Sequence, residues 1–168
     1  MRIMTVCLGN ICRSPAAEAV LVHELRQAGL DHVSVTSAGT GPWHVGRRPH
    51  EMTIEEGEGR GYTLSTVGIQ FLPELFDEAD LVVAMDSANE QDILVLARTP
   101  QDAAKVVRLG AFAGDAVEGV RDVPDPYNGP REGYTRMYDQ IEDAVAGLVR
   151  SLQQDSLEQV LAEHRSAR

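Results

Sequence analysis

Alternating strand-like and helix-like stretches predict an α/β fold. The expected form is a doubly wound, four-stranded parallel sheet with helices on both faces, in flavodoxin-like order, as a single domain. Three observations carry this. Leu81-Val82-Val83-Ala84-Met85 is a continuous apolar run, as suits a central parallel strand. Residues 2–7 and 33–38 read as strands around a stretch where Ala17, Val20, Leu21, Leu25 and Ala28 recur at helical spacing. A strand–helix–strand unit of this kind pairs its strands in parallel. The chain has 168 residues, 43% of them apolar, enough for one full core.

In chain order, residues 2–7 form a buried strand. Ser14 is placed to cap the next helix, Pro15 suits its first turn, and Gly29 ends it. Val33 and Val35 alternate with polar neighbours in the second strand. Residues 39–49 form a Gly- and Pro-rich loop with the only Trp, Trp43. A helix over about residues 50–60 is weakened by Gly57 and Gly59. Residues 61–79 are ambiguous, with Phe71, Leu72, Leu75 and Phe76 expected on the core. The strand 81–85 ends at Asp86, and Ser87-Ala88-Asn89-Glu90 has the pattern of a capping box opening a helix to Ala97. Residues 106–109 form the fourth strand, and residues 110–130 a long connection of the kind that tends to be functional. From Glu132 the chain is helical, with Tyr134, Met137, Tyr138, Ile141, Val145, Leu148 and Leu152 in one stripe. The expected division is a domain over 1–152 and a helical or frayed extension over 153–168.

The chemistry is concentrated after the first strand, in Val6-Cys7-Leu8-Gly9-Asn10-Ile11-Cys12-Arg13-Ser14-Pro15. A strand ends, a tight loop curls, and a helix starts with its positive end toward the loop. Backbone N–H groups in such a loop converge into an anion-binding nest. Arg13 adds a planar fork that matches two phosphate oxygens. Cys7 stands at the base of the nest, a setting that favours a nucleophilic thiolate. A bound phosphoester would then need a proton donor for its leaving group. Asp125, between Pro124 and Pro126, is the candidate, and Asp122 is the rival.

This pattern resembles the signature of the low-molecular-weight protein tyrosine phosphatases. The resemblance extends to Asp125-Pro126-Tyr127, to Ser37-Ala38-Gly39-Thr40 followed by Trp43, and to Ala84-Met85-Asp86 followed by Asn89, over roughly residues 2–152. It implies a protein tyrosine phosphatase working through a phosphocysteine, with Cys7 as nucleophile, Arg13 as clamp and Asp125 as acid, then base. It further implies that Asn10 holds the loop and Ser14 donates to the Cys7 sulfur. Backbone amides of residues 8–13 (Leu8, Gly9, Asn10, Ile11, Cys12 and Arg13) would line the nest. Trp43 and Tyr127 are candidate walls for an aromatic ring, and Ile11 suits an aromatic substrate better than a charged one. Asp86 and Asn89 are expected to organise a helix start rather than touch substrate. Cys12 has two readings: a small buried thiol, or a redox partner that captures oxidised Cys7. The sequence departs from the family at Thr66-Val67-Gly68-Ile69-Gln70, where an Arg-rich stretch is common, at Asn128, where an aromatic is common, and in the tail beyond Gln153.

Composition bounds the alternatives. A net charge of −11 argues against nucleic-acid partners. No run of about 18 apolar residues exists, so no membrane insertion is expected, and the start of the chain has no signal-peptide pattern, which points to the cytoplasm. The five histidines show no metal spacing, and neither metal nor cofactor is expected. The expected partner is a phosphotyrosine-containing protein or peptide. Two other readings are an arsenate reductase-like enzyme, whose thiol relay needs further cysteines downstream of Cys12, and a non-catalytic phosphate-binding or redox-sensing module. A nucleotide-binding P-loop is excluded by the absence of its Gly-Lys-Ser/Thr pattern.

Overall fold

The computed structural model describes residues 1–114 and 119–168, so the connection over 110–130 lies partly outside the described residues. Four strands, β1 (Arg2–Cys7), β2 (Ser34–Gly39), β3 (Leu81–Ala84) and β4 (Val106–Arg108), form one sheet in the order β2-β1-β3-β4. Every pairing is parallel, with Val6 opposite Ala38 on one side and Ala84 on the other. β1 is therefore central, and its carboxyl end opens beside the point where strand order reverses, where open α/β sheets hold their ligands.

Strand alternation sends side chains to two cores. Ile3, Leu81, Val83 and Val107 pack with α1 (Arg13–Gln27) and α5 (Arg131–Gln153). Met4, Val6, Val82, Ala84 and Val106 pack on the other face with Phe71, Phe76 and Ile93. Ile93 belongs to α3 (Ser87–Val95), and Phe76 to a 3-10 helix over Pro73–Asp77. The α5 stripe from Tyr134 to Leu148 is buried, and burial of each such large apolar side chain is worth roughly 1.5–3 kcal/mol.

Several local expectations are corrected. Leu72 is 48% exposed, because it follows Phe71 in extended backbone and so points the opposite way. α1 begins one residue before Ser14, and the Ser14 hydroxyl turns into the loop rather than capping. α3 is capped by Asp86, whose Oδ1 accepts from the Asn89 N–H at 2.6 Å, and the helix stops at Val95. Glu90 does not reach back to complete a box. α2 (Glu51–Gly59) forms despite its glycines, and Gly57 is there for a reason. A Cβ on it would lie 2.4 Å from the Tyr138 hydroxyl, which donates to the Thr53 carbonyl at 2.8 Å. A short helix, α4 (Pro100–Ala104), was not anticipated, although Thr99 before Pro100 is a cap signal, and its Oγ1 accepts from the Asp102 N–H at 3.1 Å.

After α5, helix α6 (Leu157–Ala167) lays Leu157 and Leu161 on the first core. It also brings His164 to within 2.7 Å of Glu90, and both side chains are buried. Arg168 and Arg108 lie 2.8 and 3.0 Å from the same carboxylate. No helix among the described residues is long and apolar enough to cross a membrane.

Candidate active site

β1 ends at Cys7 and α1 starts at Arg13, so the sheet and the helix fix both ends of a five-residue loop. Its tight curl needs a left-handed residue, and Asn10 supplies it at φ 55°. The Asn10 side chain is tied on all sides. Its Nδ2 donates to Ser14 Oγ and Ser37 Oγ, each at 2.9 Å, and its Oδ1 accepts from the Ile69 N–H at 3.0 Å. Ser37 in turn donates to Glu18 at 2.5 Å, and Thr66 donates to the same Glu18 oxygen at 2.7 Å. The 66–70 stretch thus braces the loop where it departs from the family pattern. It also adds main-chain bonds from Gly39 N–H to the Ile69 carbonyl and from Phe71 N–H to the Gly39 carbonyl.

Cys7 Sγ lies 3.1 Å from Ser14 Oγ and 3.3 Å from the Asn10 N–H. Ser14 has one proton and two acceptors, the sulfur and the Ala38 carbonyl at 3.2 Å. A thiol can donate to Ser14 while Ser14 donates to Ala38. A thiolate instead draws the Ser14 proton to itself, so the pair adapts to a negative sulfur without moving an atom heavier than hydrogen.

Arg13 is 3% exposed. Its Nη1 donates to Asp86 and, at 3.3 Å, to the Val123 carbonyl, and its Nη2 donates to Asp125 at 3.1 Å. Burial alone would lower its pKa, but Cys7, Asp86 and Asp125 together hold it above the ordinary arginine value, so the fork is always charged. Its Nε is buried with no partner among the described residues.

Asp125 sits on the 122–130 connection, where its Oδ1 accepts from the Tyr127 N–H at 3.2 Å and Asn128 turns the chain at φ 60°. Asp122 faces elsewhere: it accepts from Ser87 N–H and Oγ and from Arg108 at 3.1 Å. A pocket of about 60 Å³ is lined by Cys7, Leu8, Gly9, Ile11, Cys12, Arg13, Asp125, Trp43 and Tyr127. Trp43 and Tyr127 are exposed at its rim. His44 and His50 meet the Tyr127 ring edge-on at 6.2 and 5.9 Å. Cys12 is buried, and burial pushes its thiol up to about 12.

The structure thus brings Cys7, Arg13, Asp125, Trp43 and Tyr127 to one pocket, with Asn10 and Ser14 beneath it. It leaves Asp122 outside. Asp86 does more than its sequence context indicated, since it caps α3 and holds Arg13 at once. Only the spatial adjacency of two strand ends reveals that second role. Glu18 carried no sequence signal as a loop support, and Ser37 stood out only as part of the Ser37-Ala38-Gly39-Thr40 resemblance. Among the described residues no group of His, Cys, Asp or Glu side chains is arranged to hold a metal ion.

Comparison with known proteins places this arrangement. Residues 2–158 match the family described as low molecular weight phosphotyrosine protein phosphatase. A low molecular weight protein-tyrosine-phosphatase of Streptomyces coelicolor is 41% identical over 154 residues, covering 91% of this chain and 94% of that protein. The crystal structure of a protein tyrosine phosphatase from Entamoeba histolytica superimposes with a TM-score of 0.87 at 32% identity, covering 94% of this chain and 99% of that one. The structure of a Drosophila arginine phosphatase also matches, with a TM-score of 0.84 at 28% identity, covering 91% and 98%.

Proposed function

This chain belongs to the low molecular weight phosphotyrosine protein phosphatase family, and from that premise we propose how its own residues divide the work and on what. It is an enzyme of the family, a cysteine-dependent phosphatase. The substrate is a phosphotyrosine-containing protein or peptide, and the working place is the cytoplasm, where its two free thiols stay reduced.

Cys7 attacks phosphorus as a thiolate. The phosphorus–oxygen bond to tyrosine breaks as the phosphorus–sulfur bond forms, and Asp125, as the carboxylic acid, gives its proton to the departing phenolic oxygen. In the second step Asp125, now a carboxylate, takes a proton from water as that water attacks phosphocysteine. Inorganic phosphate leaves and the Cys7 thiolate returns. Loop N–H groups and Arg13 hold the equatorial oxygens, whose charge is greatest in the transition state. Arg13 has the unpaired Nε for one of these contacts, and a doubly charged phosphate competes with Asp125 for its fork. Ser14 and the Asn10 N–H stabilise the negative sulfur as attacking and leaving group.

The single observation that carries this reading is the meeting of sulfur, guanidinium and carboxylate in one 60 Å³ pocket. A binding module needs the nest alone. An arsenate reductase working by thiol relay needs thiols beyond Cys7 and Cys12, and the sequence has none. Ile11, Trp43 and Tyr127 favour an aromatic phosphoester over phosphoarginine, because their apolar faces suit a phenyl ring and the one carboxylate of the pocket lining, Asp125, is already held by Arg13. The test is phosphate release from matched phosphotyrosine and phosphoarginine peptides. Preference for phosphotyrosine is expected, and preference for phosphoarginine would reassign the substrate while keeping the loop chemistry.

A further inference from the structure

The apolar rim continues beyond the phosphate pocket. A second groove, of about 340 Å³, shares Leu8 and Trp43 with that pocket and runs on past Thr40 to Asp92, Val95 and Leu96 of the α3 end. Trp43 forms the common wall. Its ring lies directly on Gly41, where a Cβ would fall 1.8 Å from the indole, so the loop backbone supports a flat apolar face. Val95 is 84% exposed, the highest value among the exposed large apolar side chains, and Trp43 is 67% exposed. Exposed aliphatic residues are ordinary singly; these line one groove that adjoins the reaction pocket across Leu8 and Trp43. The groove also has a charge. Asp92 accepts from the Thr40 hydroxyl at 3.4 Å and is exposed, and no Lys or Arg pairs with it among the described residues.

We propose that this groove receives the polypeptide flanking the phosphotyrosine of a protein substrate, with an aliphatic side chain over Val95 and Leu96 and a lysine or arginine beside Asp92. The proposal rests on the phosphatase reading of the Cys7 loop. Adjacency to the phosphate pocket selects this occupant, since a chain leaving the bound phosphotyrosine past Trp43 meets the groove at Leu8, which lines both. The carboxylate selects the sign, and the net charge of −11 draws the same basic segments at longer range.

Three substrates separate the outcomes: 4-nitrophenyl phosphate, a phosphotyrosine peptide with Leu and Lys beside the phosphotyrosine, and the same peptide with Leu and Glu. Wild type is expected to prefer the Lys peptide. V95S should lower kcat/KM for that peptide roughly tenfold, as one aliphatic contact is lost, and leave 4-nitrophenyl phosphate unchanged. D92K should invert the preference toward the Glu peptide. Peptide affinity for Cys7→Ser, with and without V95S, reads the same contact without turnover. A Lys-to-Glu ratio unmoved by D92K overturns the proposal. So does a V95S loss shared equally by 4-nitrophenyl phosphate. Wild type inactive on all three substrates would instead sink the phosphatase reading beneath it, a result distinct from a flat peptide ratio.

Discussion

The proposed mechanism divides the reaction between the sulfur of Cys7 and the carboxylate of Asp125, and their variants should fail differently. Cys7→Ser removes the nucleophile and should abolish turnover while phosphotyrosine peptides still bind. Asp125→Ala leaves the first step without its acid, which is worth roughly 100- to 10,000-fold. The loss should be greatest for alkyl-substituted phenols and smallest for 4-nitrophenyl phosphate, whose leaving group needs little protonation. Asp122→Asn, by contrast, should keep most activity, because its carboxylate serves Ser87 and Arg108 rather than the pocket. Ser14→Ala removes one hydrogen bond to a charged sulfur, about 1.5–3 kcal/mol, and should slow phosphocysteine formation by roughly 10- to 100-fold. Cys12 lines the same pocket as Cys7, and burial that pushes its thiol up to about 12 works against its attack as a thiolate. If a Cys7 sulfenic acid does condense with it, water leaves and the disulfide formed is reversed by added thiol. Peroxide inactivation followed by thiol should then restore more activity in wild type than in Cys12→Ser; equal recovery excludes the capture.

At the scale of elements, the loop between β1 and α1 was legible because its chemistry is local: nucleophile, glycine, left-handed Asn and arginine fall within seven residues of one another. The strands were legible too, the third as a continuous apolar run and the second by its alternation with polar neighbours. What the sequence hid depends on distant partners. Glu90 looked like the closing half of a capping box, yet it is drawn off by His164, 74 positions away. The 66–70 stretch looked only like a departure from a family pattern, and its task emerged from the Ile69 N–H meeting Asn10. Leu72 looked like core because it sits between Phe71 and Phe76; the extended backbone decided otherwise. Asp86 is expected from the sequence to organise the helix start, and it does so as the cap in place of Ser87, but no sequence pattern announces its hold on Arg13.

For the whole molecule, a chain of polar contacts runs from α6 to the 122–130 connection: Arg168 and His164 to Glu90, Glu90 to Arg108, Arg108 to Asp122. Burial opposes charge on Glu90, but His164, Arg168 and Arg108 outweigh it and hold its pKa below the ordinary 4.5. A folded-state pKa below the unfolded one stabilises the fold above about 4.5, and that contribution is lost as pH falls through the folded value. Glu90→Gln removes the buried carboxylate that His164, Arg108 and Arg168 share and should cost roughly 1.5–3 kcal/mol at pH 7, or roughly 3–12 °C in Tm for a chain of this size. The gap to wild type should close as the pH falls below about 4.5; a gap independent of pH would contradict the ionic account. The central claim remains that phosphate passes through the Cys7 sulfur. Rapid denaturing quench of wild type with a phosphotyrosine peptide, followed by mass analysis at alkaline pH, where the phosphorus–sulfur ester survives, tests it most directly. The account predicts one phosphoryl group on the segment containing Cys7, present in Cys12→Ser, persistent in Asp125→Ala with a good leaving group, and absent in Cys7→Ser. Turnover in wild type with no phosphoryl group on that segment would contradict it.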